Sequence, residues 1–313
     1  MQVCRMDSSV TPQHPSTSMM TQNVTPTATS ENGTAAPSPD FHITLMVIYS
    51  VVLLCGTVSL SLMMHILKSS AASATSITVF NLIFAHFIFL LTVPFRIYYY
   101  VTNEWKLGPE WCKMVSAMIH IHMYMSFLLY MIILVTRLWP HYCRTRQVEP
   151  LGRMQALIGS VVMWVIVLIL IPCITFPFYG KSYQDKNSTQ CFHFAESIKS
   201  AEVLNYILST LVIVVAVVLT ALQASILWTL YKRDRQGCRS QQDFGAQLKS
   251  LCFTLIMLIC FVPYHSFRLY YIGQPELEPI NEVLLSLTTF NCLDMLTFLG
   301  RRTFHMCFRR RTV

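Results

Sequence analysis

The chain has 313 residues, 54% of them hydrophobic and only 12% charged, with a formal net charge of +8. Its mean hydropathy is +0.49, and its apolar runs recur at lengths that cross a hydrocarbon core of about 30 Å. A soluble protein with a core of that size would lack polar surface to cover it, so a soluble globular fold is excluded. The positive charge is not a nucleic-acid footprint either, because it is spread over the segments that follow alternate apolar runs.

Residues 1 to about 40 are rich in Ser, Thr and Pro and too poor in apolar residues to bury a core, so they read as a disordered tail. They hold no charged-then-apolar stretch with a cleavage site, and the first apolar run is expected to act as a signal anchor. Asn23-Val24-Thr25, Asn32-Gly33-Thr34 and Asn187-Ser188-Thr189 are glycosylation sequons at Asn23, Asn32 and Asn187. Seven membrane helices are predicted over residues 41–67, 74–101, 111–138, 154–178, 199–232, 243–272 and 279–299. The expected fold class is an all-α membrane protein, a seven-transmembrane helix bundle over 41–299. The tail 1–40 precedes it and a short amphipathic helix over 300–313 follows.

Lys68, Arg144, Arg146, Arg153, Lys232, Arg233, Arg235 and Arg239 lie on one side of successive helices, with Arg301, Arg302 and Arg309 to Arg311 in the tail. The intervening segments carry Glu104, Glu110, Asp185, Glu196, Glu202, Glu276, Glu278 and Glu282. A Lys/Arg excess marks the cytoplasmic face, which puts the N-terminus outside and the basic side against anionic inner-leaflet lipid. Of the eleven cysteines, Cys55, Cys173, Cys252, Cys260 and Cys292 lie in apolar runs and read as reduced packing residues. Cys112 and Cys191 fall on the outer side, where an oxidising compartment permits a bridge. In the tail, Phe304 and Phe308 among basic residues suit an interfacial helix, and Cys307 is a candidate for palmitoylation or an unmodified thiol.

Ionisable residues inside membrane spans are functional candidates, since a charge at the bilayer centre costs about 3 kcal/mol or more. Arg96 lies toward the outer end of the second helix. His265 and Arg268 are three apart on one face of the sixth, just outside Pro263. An Arg there would pair with phosphate or carboxylate, or alternatively with Glu282 of the seventh helix, or snorkel outward. His120 and His122 stand on different faces. One of them lines a cavity, with His122 taken as the candidate, or both are satisfied core groups. Met118, Met123, Phe127 and Tyr130 read as packing, and Tyr98, Tyr99 and Tyr100 suit an interfacial aromatic belt. No zinc spacing, phosphate loop or nucleophile elbow is found, so no enzyme, cofactor or metal site is expected. No internal repeat of the transporter kind is seen.

Cys112 and Arg137 lie about 37 Å apart along one helix at about 1.5 Å per residue, one at each mouth of the span. Trp105-Lys106-Leu107-Gly108 precedes Cys112. Asn81-Leu82 and Pro94-Phe95 mark the second helix, Trp164 and Pro172 the fourth, Cys260-Phe261-Val262-Pro263 the sixth and Asn291-Cys292-Leu293-Asp294 the seventh. In this order the motifs resemble those of the rhodopsin-like, class A G-protein-coupled receptors, and the likeness spans residues 41 to 311. The resemblance implies a disulfide from Cys112 to Cys191. It implies coupling and activation roles for Thr136, Arg137, Phe261, Pro263, Asp294 and Phe298, and a ligand pocket drawing on Arg96, His122, His265, Arg268 and Glu282. The Pro-Tyr-His-Ser-Phe-Arg run at 263–268 resembles the His-x-x-Arg element of nucleotide and lipid receptors. The expected function is that of an orphan receptor in the plasma membrane. It would pass an extracellular signal, an anionic small molecule, lipid or nucleotide, to a heterotrimeric G protein, with arrestin as a further partner. The alternative is a constitutively active or ligand-independent receptor. A transporter or channel is disfavoured by the lack of repeats and of broken, Gly-rich spans.

Several positions depart from the family pattern. His86 and Ser59 stand where Asp and Asn are usual, and imidazole supplies no hard oxygen to a sodium ion. Thr136 replaces the acid before Arg137, which predicts raised basal activity. Phe261 replaces Trp, Met295 replaces Pro and Phe298 replaces Tyr. The fifth helix has no Pro, so the fifth and seventh helices are predicted to run straighter than usual.

Overall fold

The computed structural model describes residues 39–67, 74–142, 153–175, 191–192, 201–233 and 239–294. Phe298, Cys307 and the sequons at Asn23, Asn32 and Asn187 lie outside the described residues. Among the described residues there are seven α-helices and no strand. They are α1 (Pro39–Leu67), α2 (Ala74–Thr102), α3 (Pro109–Tyr142), α4 (Arg153–Thr175), α5 (Glu202–Arg233), α6 (Arg239–Tyr271) and α7 (Glu278–Leu287). Five contain spans long and apolar enough to cross a membrane: Phe41–His65, Ile77–Thr102, Pro109–Trp139, Glu202–Lys232 and Ser250–Tyr271. A shorter apolar stretch, Met154–Ile169, lies in α4.

The helices are apolar on both faces, and their orientation is set by polarity and residue size. In α1, Leu45, Tyr49, Val52, Gly56, Ser59 and Met63 are buried at alternating spacings of four and three, the stripe of a helix packed on neighbours. Val47, Val51, Leu54, Val58 and Leu62 face outward. Such a surface is untenable in water and fits lipid. A Cβ on Gly56 would lie 3.1 Å from Leu90 Cδ2 and 3.7 Å from Cys292 Cβ, so the glycine lets α1 approach α2 and the last segment closely.

At the centre is α3, which contacts α2, α4, α5, α6 and the segment after α7. Of its apolar window 67% is buried, against 28% for α1 and for α5, so α3 is enclosed by protein while the other two face lipid. Trp164 Nε1 of α4 donates to Asn81 Oδ1 of α2 at 3.0 Å, and Gln223 Nε2 of α5 donates to Gln247 Oε1 of α6 at 2.9 Å.

The seventh span is α-helical over Glu278–Leu287 and at Thr288 tightens into a 3-10 segment, Thr288–Leu293. The hydroxyls of Ser286, Thr288 and Thr289 donate to the carbonyls of Val283, Leu285 and Ser286, each three residues back, and so favour that tighter winding. Tyr99 and Tyr100 do not form an outward belt but turn into the core at 7% and 4% exposure, leaving Tyr98 on the surface.

Enlarging Gly56 should separate α1 from α2. Gly56→Leu is expected to lose about 1–3 kcal/mol of stability by overpacking, and Gly56→Ala less, as read from thermal unfolding of the purified protein. Equal melting of Gly56→Leu and the wild type would contradict the close approach.

Candidate functional site

At the Cys112 end the bundle is closed by a disulfide between Cys112 and Cys191, with Cα atoms 5.9 Å apart. The bridge seats Phe192 over the helix ends, where it packs on Tyr99, Trp105 and Tyr100. Phe192 has φ of 71°, a left-handed conformation rare for a bulky residue. Trp105 Nε1 donates to the carbonyl of Gly108 at 2.7 Å, and Gly108 takes the φ of 87° that this tight turn requires. In the same loop a hydrogen bond and ion pair to Glu104, at 3.0 Å, hold the Lys106 pKa above its usual value.

Beneath Phe192 lies Arg96, fully buried. Its guanidinium sits 4.3 Å from the Phe192 ring centroid and 5.5 Å from that of Tyr49. It donates to the Tyr49 hydroxyl at 3.3 Å and to the Val115 carbonyl at 3.0 Å. Tyr49 stacks on Tyr100, whose hydroxyl donates to Glu282. Across the bundle, Arg268 is also buried and donates to Asn205 Oδ1 at 2.6 Å and to the Tyr264 hydroxyl. His265 meets Ser209 Oγ of α5 at 3.2 Å. His120 meets the Ser116 carbonyl at 3.2 Å and is an electrostatic neighbour of both Arg96 and Arg268. Arg96, Arg268, His265 and Glu282 thus share one end of the bundle.

His122 is not with them. It lies deeper, 2.8 Å from His86 (Nε2 to Nδ1) and stacked on Phe89 at 4.2 Å between centroids. Cys292 Sγ is 3.5 Å from each of those two nitrogens. His86 Nε2 is 3.6 Å from Asp294 Oδ1, and Tyr130 donates its hydroxyl to Asp294 Oδ2 at 2.5 Å. Tyr130 also packs on Phe261, which is completely enclosed and touches Phe127. Spacing gave no sign of this assembly, because its members come from three separate helical segments. Tyr130 and Cys292, read as packing, are polar participants.

At the Arg137 end, Arg137 Nη1 donates to Ser250 Oγ of α6 at 3.1 Å. The Thr136 hydroxyl is turned back onto the Ile132 and Ile133 carbonyls of its own helix. Pro263 stands inside α6, between Ser250 and Arg268.

The sequence pattern of the 7 transmembrane receptor (rhodopsin family) matches residues 59–297. The chain belongs to the rhodopsin family of seven-transmembrane receptors. Its relatives include the "Probable G-protein coupled receptor 141" of Homo sapiens, 36% identical over 281 residues, which are 86% of this chain and 91% of that one. The "Probable G-protein coupled receptor 34" of Pan troglodytes is 27% identical over 79% of this chain and 69% of its own. The "Probable G-protein coupled receptor 174" of Mus musculus is 26% identical over 75% and 72%. Rhodopsin-family membership makes this a membrane protein and a receptor rather than an enzyme.

The disulfide stabilises the cap as one unit. Cys112→Ser, Cys191→Ser and the double variant should each lose about 2–4 kcal/mol, with no further loss in the double. Thermal unfolding under non-reducing conditions measures this, and additive losses would contradict a shared bridge.

Proposed function

We propose that the chain is a plasma-membrane receptor, N-terminus outside, that passes the binding of a small anionic extracellular ligand to a heterotrimeric G protein. The observation that carries this reading is the burial of two guanidinium groups, Arg96 and Arg268, at the Cys112 end. The one fully buried carboxylate among the described residues, Asp294, lies with Tyr130 and His86, away from that end. Phenol, amide and carbonyl oxygens hold the guanidiniums in place, and a phosphate or carboxylate would bind them more strongly through charge-assisted, bidentate hydrogen bonds. Glu282, beside Tyr100, limits the positive charge and favours a ligand with a polar or cationic second group. The anion would draw on Arg268 and His265 of α6, and movement of that helix would release Arg137 from Ser250 to the G protein.

A second reading, signalling without ligand, is favoured by the Arg137 end. The Arg137–Ser250 hydrogen bond is charge-assisted, worth about 1.5–3 kcal/mol, but its neutral hydroxyl acceptor lacks the ion-pair attraction a carboxylate would add. Ser250 gives Arg137 no charge to pair with, and both readings hold if ligand raises an already measurable basal signal.

Two measurements separate them. For an anionic agonist found by screening phosphate- and carboxylate-bearing compounds, Arg268→Ala and Arg96→Ala should each weaken potency about ten- to hundredfold. Unchanged potency in both would sink the anionic-ligand reading. Ligand-free nucleotide exchange on purified G protein should fall in Thr136→Asp, rise in Ser250→Ala and vanish in Arg137→Ala. Equal, negligible exchange in the wild type and Thr136→Asp would end the second reading.

A further inference from the structure

We infer that His86, His122 and Cys292 form a buried binding site for a soft d10 metal ion, zinc(II) or copper(I). One ligand atom from each residue lies within 4.8 Å of the others, and all three residues are buried. The two sulfur-to-nitrogen edges are 3.5 Å and the nitrogen-to-nitrogen edge is 2.8 Å. An ion with metal–nitrogen bonds of about 2.0–2.1 Å and a metal–sulfur bond of about 2.3 Å requires ligand atoms roughly 3.3–3.7 Å apart. The sulfur edges already fit. The nitrogen edge opens by about half an ångström on that count, as the ring-to-ring hydrogen bond gives way to the ion.

The surroundings suit the same purpose. His86 points Nδ1 at the site and leaves Nε2 facing Asp294 Oδ1 at 3.6 Å. A ligating imidazole whose other nitrogen faces a carboxylate is a recurring way to fix ring orientation and raise donor strength. Tyr130 anchors the other oxygen of that carboxylate, and the face of Phe89 holds the His122 ring. Two imidazoles and one thiol select zinc(II) or copper(I) and reject sodium, magnesium and calcium, which need oxygen ligands. Binding takes both imidazoles as neutral donors and Cys292 as the thiolate, so the thiol proton is released to solvent. Because α2, α3 and the Thr288–Leu293 segment supply one ligand each, the ion ties three parts of the bundle together and favours the packing that keeps them in reach.

The test uses the full-length receptor in lipid nanodiscs, loaded with zinc(II) alone and, in a separate reducing preparation, with copper(I) alone. Metal content is measured after removal of loose ions. The wild type should retain one ion, and Cys292→Ser and His122→Gln should each retain less than a tenth of that. Asp294→Asn should still bind, about ten- to hundredfold more weakly. X-ray absorption of the loaded wild type, which needs no variant to fold, should show one sulfur at about 2.3 Å and two nitrogens. The preparation that retains the ion identifies the metal. Retention of neither, equal retention in Cys292→Ser, or a spectrum without sulfur would overturn the site.

Discussion

A bilayer core offers no water, so every polar group that enters it must find its partner inside the protein. That constraint organises the whole structure. Lipid and a protein core are equally apolar, so Val, Leu and Ile cannot tell a helix which way to face. Asn81, His86, Arg96, Gln223 and Asp294 can, and all of them are buried among the helices and bonded to neighbours. Because α3 is surrounded by its neighbours, it shares in bonds to several of them. It receives Arg96 at the Val115 carbonyl, presents His122 to His86, reaches Asp294 through Tyr130 and donates to Ser250 through Arg137.

These polar contacts fall at three depths along α3. At the Cys112 end lie a covalent bridge, an aromatic cluster and two guanidinium groups, with Glu282 beside Tyr100. In the middle lies the His86, His122, Cys292 and Asp294 group, and below it the Arg137–Ser250 bond. The helix α6 spans all three levels with Arg268, Phe261 and Ser250, and Pro263 leaves a missing hydrogen bond between them. In the proposed receptor that helix is the two-state element, biased at one end by an anion and read out at the other by a G protein.

Much of the architecture was legible in the sequence because apolar run length and charge asymmetry are local signals. The expected starts and ends of the first six helices differ from those observed by only a few residues, as at 74–101 against Ala74–Thr102, whereas the seventh, expected over 279–299, is α-helical only over Glu278–Leu287. The motif carrying Cys112 and Cys191 also led to the observed bridge. Side-chain direction was less legible. The Tyr98 to Tyr100 run gave no sign of which ring would turn inward, since that depends on Phe192 arriving from another loop. Cys292 looked like packing because its partners are on α2 and α3, and no spacing rule connects them. The tightening at Thr288 was not legible either, because it goes with hydroxyl bonds of Thr288 and Thr289 to carbonyls three residues back, which no apolar pattern reveals. His86 was the best local clue, an imidazole at a position where the family pattern has Asp, and the structure surrounds it with nitrogen, sulfur and the Asp294 carboxylate.

The central claim is that polar side chains bonded to one another across α3 hold this bundle in register. A double-mutant cycle on Tyr130→Phe and Asp294→Asn, read as thermal stability of the purified receptor, tests it most directly. Direct contact predicts a coupling of about 0.5–3 kcal/mol between the two substitutions. Additivity to within about 0.3 kcal/mol would mean that the two groups do not meet, and the polar core described here would not exist.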